Sequence, residues 1–192
     1  TYPNTNAAGI DKTTNCSTPT VTIGNTAEPS TTYIWSPIEG LSSATVSNPT
    51  ATPTLTTMYT LTATNTVSNC ISTDSVTVNV DNAIPTSPLP NTPIQPNCET
   101  STGSIVLNGL PLEDWTVAIY KDGTLNSSIS GFGNTTTVNN LVAATYYFIV
   151  TITATGCTSP PSVNVVINSQ PPTPSAPTIG TITDPTCASS GS

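Results

Sequence analysis

The sequence predicts an all-β fold built from small tandem modules. Its apolar residues fall in short runs that alternate with Thr, Ser and Asn, the pattern of half-buried strands. Among 192 residues, 19 are proline, and clusters of Asn, Gly and Ser supply further turns between the runs. No stretch shows the periodicity of an amphipathic helix. The chain is therefore expected to consist of strands and turns.

The first module is predicted to span residues 1–81. Tyr33 and Trp35 share one face of a strand over residues 33–37, and Val76 and Val78 point inward from a strictly alternating strand. The strand signals in chain order are 21–23, 33–37, 57–64 and 75–80. About seven short strands in about 80 residues, with a central Trp, are typical of an immunoglobulin-like sandwich.

The second module is predicted to span residues 94–168. Its clearest turn is the Asp122-Gly123 step, which favours a β-hairpin after a strand that begins at Trp115. The most apolar strand covers residues 145–152. The other strand signals in this module are 104–111, 115–120, 135–138 and 162–167.

Two proline-rich segments, residues 82–93 and 169–177, are predicted to be linkers. Proline at this density favours extended polyproline II, which acts as a semi-rigid spacer. Residues 178–192 are interpreted as the first strand of a further repeat. The predicted fold is thus a row of tandem immunoglobulin-like β-sandwich domains joined by Pro-rich linkers.

The five cysteines carry the repeat. Their spacing groups Cys16 with Cys70 and Cys98 with Cys157, one pair per module, so each pair is predicted to close its own small domain. The segment around Cys187 repeats the segment around Cys98. Cys187 is therefore expected to be unpaired or to bond outside these two modules.

Two resemblances to known families rest on particular motifs. Residues 33–37 (Tyr-Ile-Trp-Ser-Pro), 48–53, 57–62 and 76–80 resemble the PKD-type domain of bacterial surface proteins. The segment from Cys98 through 103–111, with Gly-Cys-Thr-Ser-Pro at 156–160, is similar to the SprB-type repeat of Bacteroidetes adhesins. The second resemblance implies very long cell-surface filaments, exported by the type IX secretion system and propelled during gliding motility.

Charge excludes several partners. The net charge is −8, with two cationic side chains and no His, so a basic stripe for nucleic acid cannot form. Attraction to an anionic membrane is excluded in the same way, and no apolar run is long enough for membrane insertion. The expected partners are neighbouring repeats or identical subunits, with a surface polysaccharide as an open alternative.

No catalytic or cofactor-binding site is expected. Without His, a Ser-His or Cys-His mechanism cannot operate within this chain. The adjacent acids Glu113 and Asp114 are interpreted as a solvated turn. A metal site is not expected, because no Cys-x-x-Cys spacing occurs. Calcium binding stays an open alternative, because scattered carboxylates could cap the loops between domains. These carboxylates belong to Asp11, Glu28, Glu39, Asp74 and Asp81.

One modification motif stands out. The Asp74-Ser75-Val76 triplet looks like the O-glycosylation acceptor of Bacteroidetes-type bacteria, and Ser75 is predicted to point outward from its strand.

These features predict a structural or adhesive repeat segment of an extracellular, cell-surface adhesin or fibre, with no catalysis. A first alternative is a filament subunit joined by β-strand exchange, since the strand-like residues 178–183 belong to no completed domain. A second alternative is a carbohydrate-binding accessory module of a secreted enzyme. Tyr2 and Phe132 are the rings expected to be exposed for such a role.

Overall fold

The computed structural model describes residues 2–181, which form strands, turns and irregular segments without a helix. Over that range nothing meets the length and hydropathy that a membrane-crossing helix requires. The strands divide into two groups with separate cores, here called module one (β1–β6) and module two (β7–β13). The all-β, immunoglobulin-like fold predicted from the sequence is confirmed.

Module one is built on a four-stranded sheet in the order β1-β6-β5-β3, with β2 and β4 pairing in a second, small sheet. The strands β5, β6 and β3 pair antiparallel, whereas β1 runs parallel to the end of β6. Its strands are β1 (Lys12–Asn15), β2 (Val21–Thr22), β3 (Thr31–Ser36), β4 (Thr50–Ala51), β5 (Thr57–Asn65) and β6 (Ile71–Asp81).

The core of module one forms around Trp35, whose indole Nε1 donates a hydrogen bond of 2.9 Å to the carbonyl of Val46. Tyr59 is fully buried, and its hydroxyl donates to the carbonyl of Glu39 at 2.8 Å. Because these polar atoms are satisfied, the rings can be buried at little cost. The cluster comprises Ala7, Ala8, Ile23, Tyr33, Trp35, Ala51, Tyr59, Leu61, Ala63, Val76 and Val78.

Module two packs a four-stranded sheet, β10-β9-β12-β13, against a three-stranded sheet, β11-β8-β7. All of its strand pairs are antiparallel. Its strands are β7 (Leu89–Pro90), β8 (Gly103–Asn108), β9 (Asp114–Lys121), β10 (Thr124–Phe132), β11 (Thr135–Leu141), β12 (Ala144–Ile152) and β13 (Val165–Ile167).

The core of module two forms around Trp115, whose indole Nε1 donates to the carbonyl of Gly133 at 2.8 Å. A Cβ atom at Gly131 would approach the Trp115 ring to 2.6 Å, so the backbone of β10 covers this ring closely. The cluster comprises Ile105, Leu107, Leu110, Trp115, Val117, Ile119, Val138, Leu141, Tyr146, Phe148, Val150, Val165 and Ile167.

The segment 82–93, predicted to be a Pro-rich linker, is in part held against module two. Leu89 and Pro90 form β7, which pairs with β8, and Ile94 bridges Ser104. A proline at this place is tolerated because β7 lies at the edge of its sheet. Only residues 82–88 connect the two modules outside any strand.

After β13, residues 168–181 are exposed and have no regular secondary structure. The linker predicted at 169–177 falls in this stretch. Most of the strand predicted within 178–192, together with Cys187, lies outside the described residues.

Candidate functional site: the junction between the modules

A tight turn follows β1 beside Asp81, the last residue of module one's final strand. We call residues 15–18 the exit turn. The side-chain Oδ1 of Asn15 accepts hydrogen bonds from the backbone N–H of Ser17 (3.0 Å) and of Thr18 (2.8 Å). The Thr18 hydroxyl donates to the same oxygen at 2.9 Å, and the Asn15 N–H donates to the Thr18 carbonyl at 3.1 Å. This Asn-centred network holds Cys16 exposed at the tip of the turn.

The partner turn lies in module two after β12, and we call residues 152–157 its receiving turn. The Ile152 N–H donates to the Cys157 carbonyl at 3.0 Å, and the Gly156 N–H donates to the Ile152 carbonyl at 2.8 Å. Gly156 has a φ of 71°, a left-handed conformation that glycine adopts without steric cost. The turn leaves Cys157 completely buried.

The two turns meet through a disulfide between Cys16 and Cys157, with a Cα–Cα distance of 5.0 Å. Beside it, the Ser17 N–H donates a hydrogen bond of 2.9 Å to the carbonyl of Thr155. A Cβ atom at Gly156 would overlap Ser17 Oγ, so the two backbones approach as closely as a glycine allows. A covalent bond, a hydrogen bond and close packing thus fix module one to module two at one point.

The predicted bond between Cys16 and Cys70 is therefore wrong, and the reason is the length of β6. Cys70 immediately precedes β6, whereas Cys16 follows Asn15, which pairs with the last residue of β6, Asp81. The 11 residues of β6 span roughly 35 Å at about 3.3 Å per residue. Cysteines at opposite ends of such a strand cannot be bridged.

The predicted bond between Cys98 and Cys157 fails for the same reason. Cys157 follows the end of β12, while the Cys98 carbonyl accepts a hydrogen bond of 3.3 Å from Gln170, beyond β13. β13 pairs with the start of β12, at Ala144 and Ile167. The 9 residues of β12 therefore separate the two cysteines by roughly 30 Å. Cys98 is exposed, Cys70 is half-buried, and both are free thiols among the described residues.

The end of β6 and the connector 82–88 add further contacts with module two. The carbonyl oxygen of Asp81 lies 3.9 Å from Cys157 Sγ, and the Thr86 hydroxyl donates to the Gly109 carbonyl at 3.3 Å. Residues 83–86 line a shallow groove of about 190 Å³ together with Leu110 and Ile152. The connector is consequently part of the junction surface.

Of the acids considered for calcium, Asp81 lies at this junction, whereas Asp11 and Glu28 accept hydrogen bonds within module one. Asp11 accepts a hydrogen bond from the Thr77 N–H at 2.8 Å, and Glu28 accepts from the Asn4 N–H at 3.2 Å. Between residues 2 and 181, no group of three His, Cys, Asp or Glu side chains is placed to hold a metal ion. That the protein binds no cofactor stays a prediction, and calcium binding at the loops stays an open alternative.

The modification motif is split by the strand on which it lies. Ser75 is exposed on the outer face of β6, in the orientation predicted. Asp74 is on the opposite face, where its carboxylate accepts a hydrogen bond of 2.8 Å from the Ala8 N–H. Of the three residues in the motif, Ser75 alone is classed as exposed, and its use as a glycan acceptor stays a prediction.

The aromatic residues do not form a flat platform. Tyr2 and Phe132 are exposed as predicted, by 77% and 70%, but they belong to different modules. On the outer face of β9 and β12, Tyr120 and Tyr147 stack with centroids 4.6 Å apart and planes inclined by 7°. Because these two rings face each other, they do not lie side by side as a surface for a sugar ring.

Two buried tyrosines have perturbed acidities. Burial raises the pKa of Tyr59 above its usual value of 10.0, and the nearby charge of Glu39 raises it further. Burial likewise raises the pKa of Tyr146, with a contribution from Asp122. Each ring lies in the core of a different module, so both cores favour neutral phenols.

Comparisons with known proteins identify no family for the chain. No protein-family model matches it, and no curated protein matches it. Among solved structures, the chain is similar to the FN1–FN3 domains of chicken CNTN1, with 13% identity and a TM-score of 0.39 over 84% of this chain and 65% of that one.

Two further solved structures show comparable similarity. One is a three-domain fragment of titin, with 16% identity and a TM-score of 0.38 over 82% of this chain and 62% of that one. The other is the BSP domain of a biofilm associated protein, with 16% identity and a TM-score of 0.33 over 85% of this chain and 29% of that one. The chain spans less than two thirds of each of the three structures. The immunoglobulin-like assignment rests on the sheets and cores described above.

Proposed function

We propose that this chain is a structural, adhesive segment of an extracellular bacterial surface adhesin or fibre, and that it acts without catalysis. The observation that carries the proposal is the disulfide between Cys16 and Cys157, which joins two modules instead of closing one. A bond in that position fixes one module relative to the next. Such a constraint suits a protein whose row of modules must stay extended.

The disulfide also changes how tension passes through the chain. Force applied to the two ends would run along the backbone to Cys16, cross the bond, and leave from Cys157. The sequence separation of 141 residues corresponds to roughly 480 Å of extended chain at about 3.4 Å per residue, all shielded from load. Most of both modules could therefore stay folded under tension, which suits an adhesive stalk.

An extracellular, cell-surface location belongs to this proposal. Disulfides persist in oxidising compartments and are rare in the cytosol. The similarity of residues 98–111 to the SprB-type repeat supports export by the type IX system and a role in gliding. Neighbouring repeats are the proposed partners, with a surface polysaccharide as the ligand class and nucleic acid excluded by the net charge of −8.

Immunogold electron microscopy of the source cells tests this assignment. Antibodies against module two should label extracellular fibres on intact cells, and deletion of the coding segment should remove both the label and surface attachment. Label confined to the cell interior, or to a secreted enzyme, would contradict the proposal.

The second candidate, a filament of short chains joined by strand exchange, is favoured by β10. This strand is an uncharged sheet edge of nine residues, largely exposed, and such edges accept added strands. The repeat instead favours residues 178–183 as the first strand of a further repeat. Aligning Cys187 with Cys98 places residues 178–183 over residues 89–94, a range that contains β7. Electron microscopy of the purified chain under reducing conditions separates the two: ordered filaments would favour strand exchange, and isolated particles the adhesin segment.

A further inference from the structure

Cys70 and Cys98, the free cysteines among residues 2–181, lie in turns that duplicate the two halves of the observed junction. In module two, the Asn97 side-chain Oδ1 accepts hydrogen bonds from the N–H of Glu99 (2.8 Å) and of Thr100 (2.9 Å). The Thr100 hydroxyl donates to the same oxygen at 3.0 Å, and the Asn97 N–H donates to the Thr100 carbonyl at 3.0 Å. Each of these bonds has its counterpart in the exit turn of module one, with Cys98 in the place of Cys16.

The other half of the junction, the receiving turn, also has a duplicate. In module one, the Asn65 N–H donates to the Cys70 carbonyl at 2.9 Å, and the Asn69 N–H donates to the Asn65 carbonyl at 2.8 Å. These are the two bonds that define the receiving turn of module two, with Cys70 in the place of Cys157. Asn69 has a φ of 56°, so the residue before the cysteine is left-handed in both turns.

The position of Cys98 in its module agrees with an exit role. Gln95 joins the segment before Cys98 to the end of module two, because its Nε2 donates to the Val166 carbonyl at 2.9 Å and its Oε1 accepts from the Asn168 N–H at 2.8 Å. Gln170 Nε2 then donates to the Asn97 carbonyl at 3.0 Å. Cys98 is thus exposed where the chain leaves module two, as Cys16 is where it leaves module one.

The position of Cys70 agrees with a receiving role. Two residues after it, the Ser72 hydroxyl donates to the carbonyl of Asn4 at 3.2 Å. The receiving turn of module one therefore lies where the chain arrives. In module two the corresponding turn also meets the arriving chain, since Cys157 lies beside Asp81.

We propose that Cys98 is the exit half of a second inter-module disulfide, closed with the receiving-turn cysteine of a following module of this kind. By the same logic, Cys70 receives the exit-turn cysteine of a preceding module. Each module then gives one cysteine to each neighbour, and every junction in the array carries the same bond. This inference rests on the proposed function as a repeat array.

Bond formation is an oxidation of two thiols by a low-molecular-weight disulfide such as oxidised glutathione. The Cys98 thiolate attacks that disulfide and releases one glutathione thiol, forming a mixed disulfide. The receiving thiolate then attacks the Cys98 sulfur and releases the second glutathione thiol. Two protein thiols are oxidised and one glutathione disulfide is reduced to two thiols, so electrons and protons balance.

A tandem chain tests the inference while keeping all strands of both described modules. It consists of residues 1–177 followed by a second copy of residues 89–168, which places the copied β7 where the repeat alignment puts residue 178. The second copy carries Val163→Ile, an exposed substitution that marks its peptides by mass. After refolding in a glutathione buffer, disulfides are mapped by mass spectrometry of non-reduced digests.

The expected map joins Cys16 to Cys157 of the first copy and Cys98 to Cys157 of the second copy. Only Cys70 and the second copy's Cys98 should then react with a thiol reagent. The matched control is Cys98→Ser in the first copy, which should leave the second copy's Cys157 reactive and the Cys16 bond intact.

Three results would overturn the inference. Cys98 of the first copy remaining a free thiol beside an intact Cys16–Cys157 bond is one, and a bond between Cys98 and Cys70 is the second. Absence of both inter-module bonds is the third. None of them bears on where the protein lies in the cell, so failure here and failure of the surface assignment are distinguishable.

Discussion

Gly156 of module two lies directly against Ser17 of module one, and a Cβ atom at Gly156 would overlap Ser17 Oγ and come within 3.0 Å of Ser17 Cβ. The glycine satisfies two requirements at once, because its φ of 71° is also left-handed. The neighbouring residues Cys16 and Cys157 form the disulfide, with a Cα–Cα distance of 5.0 Å. Close approach of the backbones and covalent bonding are therefore coupled at this junction.

The substitution Gly156→Ala should weaken the disulfide. The added methyl group must displace Ser17, so the Cys16–Cys157 bond should become easier to reduce by roughly tenfold, which corresponds to about 1.4 kcal/mol. The equilibrium with glutathione, read by thiol alkylation and mass spectrometry, measures this change. Ser17→Gly should restore part of the lost stability.

Gly123→Ala is the matched control for that change. Gly123 also has a left-handed φ, of 84°, but nothing lies within 4 Å of its Cβ position. Its substitution should cost about 1 kcal/mol of backbone strain and leave the disulfide equilibrium unaltered. Equal effects of the two alanines would show that the contact with Ser17 does not matter.

Replacing Cys16 by Ser should free the modules from each other without unfolding either one. The two cores share no residue, and each contains one buried tryptophan, Trp35 or Trp115. We expect unchanged tryptophan emission and a broader distribution of particle dimensions in small-angle X-ray scattering. Cys70→Ser, which removes a free thiol, should leave the scattering unchanged, and loss of either core's emission after Cys16→Ser would contradict separate cores.

Alkaline pH should destabilise both modules. Burial raises the pKa of Tyr59 and of Tyr146 in the folded chain above 10.0. A raised pKa means that stability is complete below about pH 10 and declines as pH rises through the folded-state values. Denaturant unfolding at a series of pH values, followed by tryptophan emission, measures the decline.

The variants Tyr59→Phe and Tyr146→Phe separate the two contributions. Each removes the titrating phenol from one core and the hydrogen bond that it donates, to Glu39 or to Val142. We therefore expect lower stability at neutral pH but a weaker alkaline decline, in the mutated module alone. An alkaline decline of unchanged size in both modules would assign it to other groups.

Ser75 should carry a glycan in protein isolated from the source cells. Its hydroxyl is exposed on β6, so attachment need not disturb the fold. Ser75→Ala should remove the added mass, as measured on intact protein. Ser36→Ala is the control, because Ser36 is also exposed on a strand but follows Trp35 and not an Asp. An unmodified Ser75 peptide would end this assignment.

Alternation in the sequence was sufficient to predict most strands and their inward faces. Tyr33 and Trp35 are buried along β3, and Val76 and Val78 along β6, as predicted. Alternation succeeds there because these strands are central or cover a core, and register is then set by burial. It did not predict β10, whose Asn, Ser and Gly residues lie at an exposed edge.

The disulfide pairing could not be obtained from spacing. Four cysteines permit three connectivities, and two modules with cysteines at equivalent places give the same spacings whether bonds form within or between modules. The deciding fact is that β1 runs parallel to β6, which places Cys16 next to Asp81. This pairing joins only four residue pairs that are far apart in the sequence. No pattern in residues 12–15 predicts it. The Cys-Ser-Thr-Pro and Cys-Thr-Ser-Pro motifs at Cys16 and Cys157 were the available hint.

Pulling single molecules by the two ends of the chain tests the central claim most directly. With the Cys16–Cys157 bond intact, unfolding should release only the chain outside the loop, and the Cys16→Ser variant should release roughly 480 Å more contour length. Equal contour lengths from the oxidised protein and the variant would mean that the bond does not carry the load between the modules.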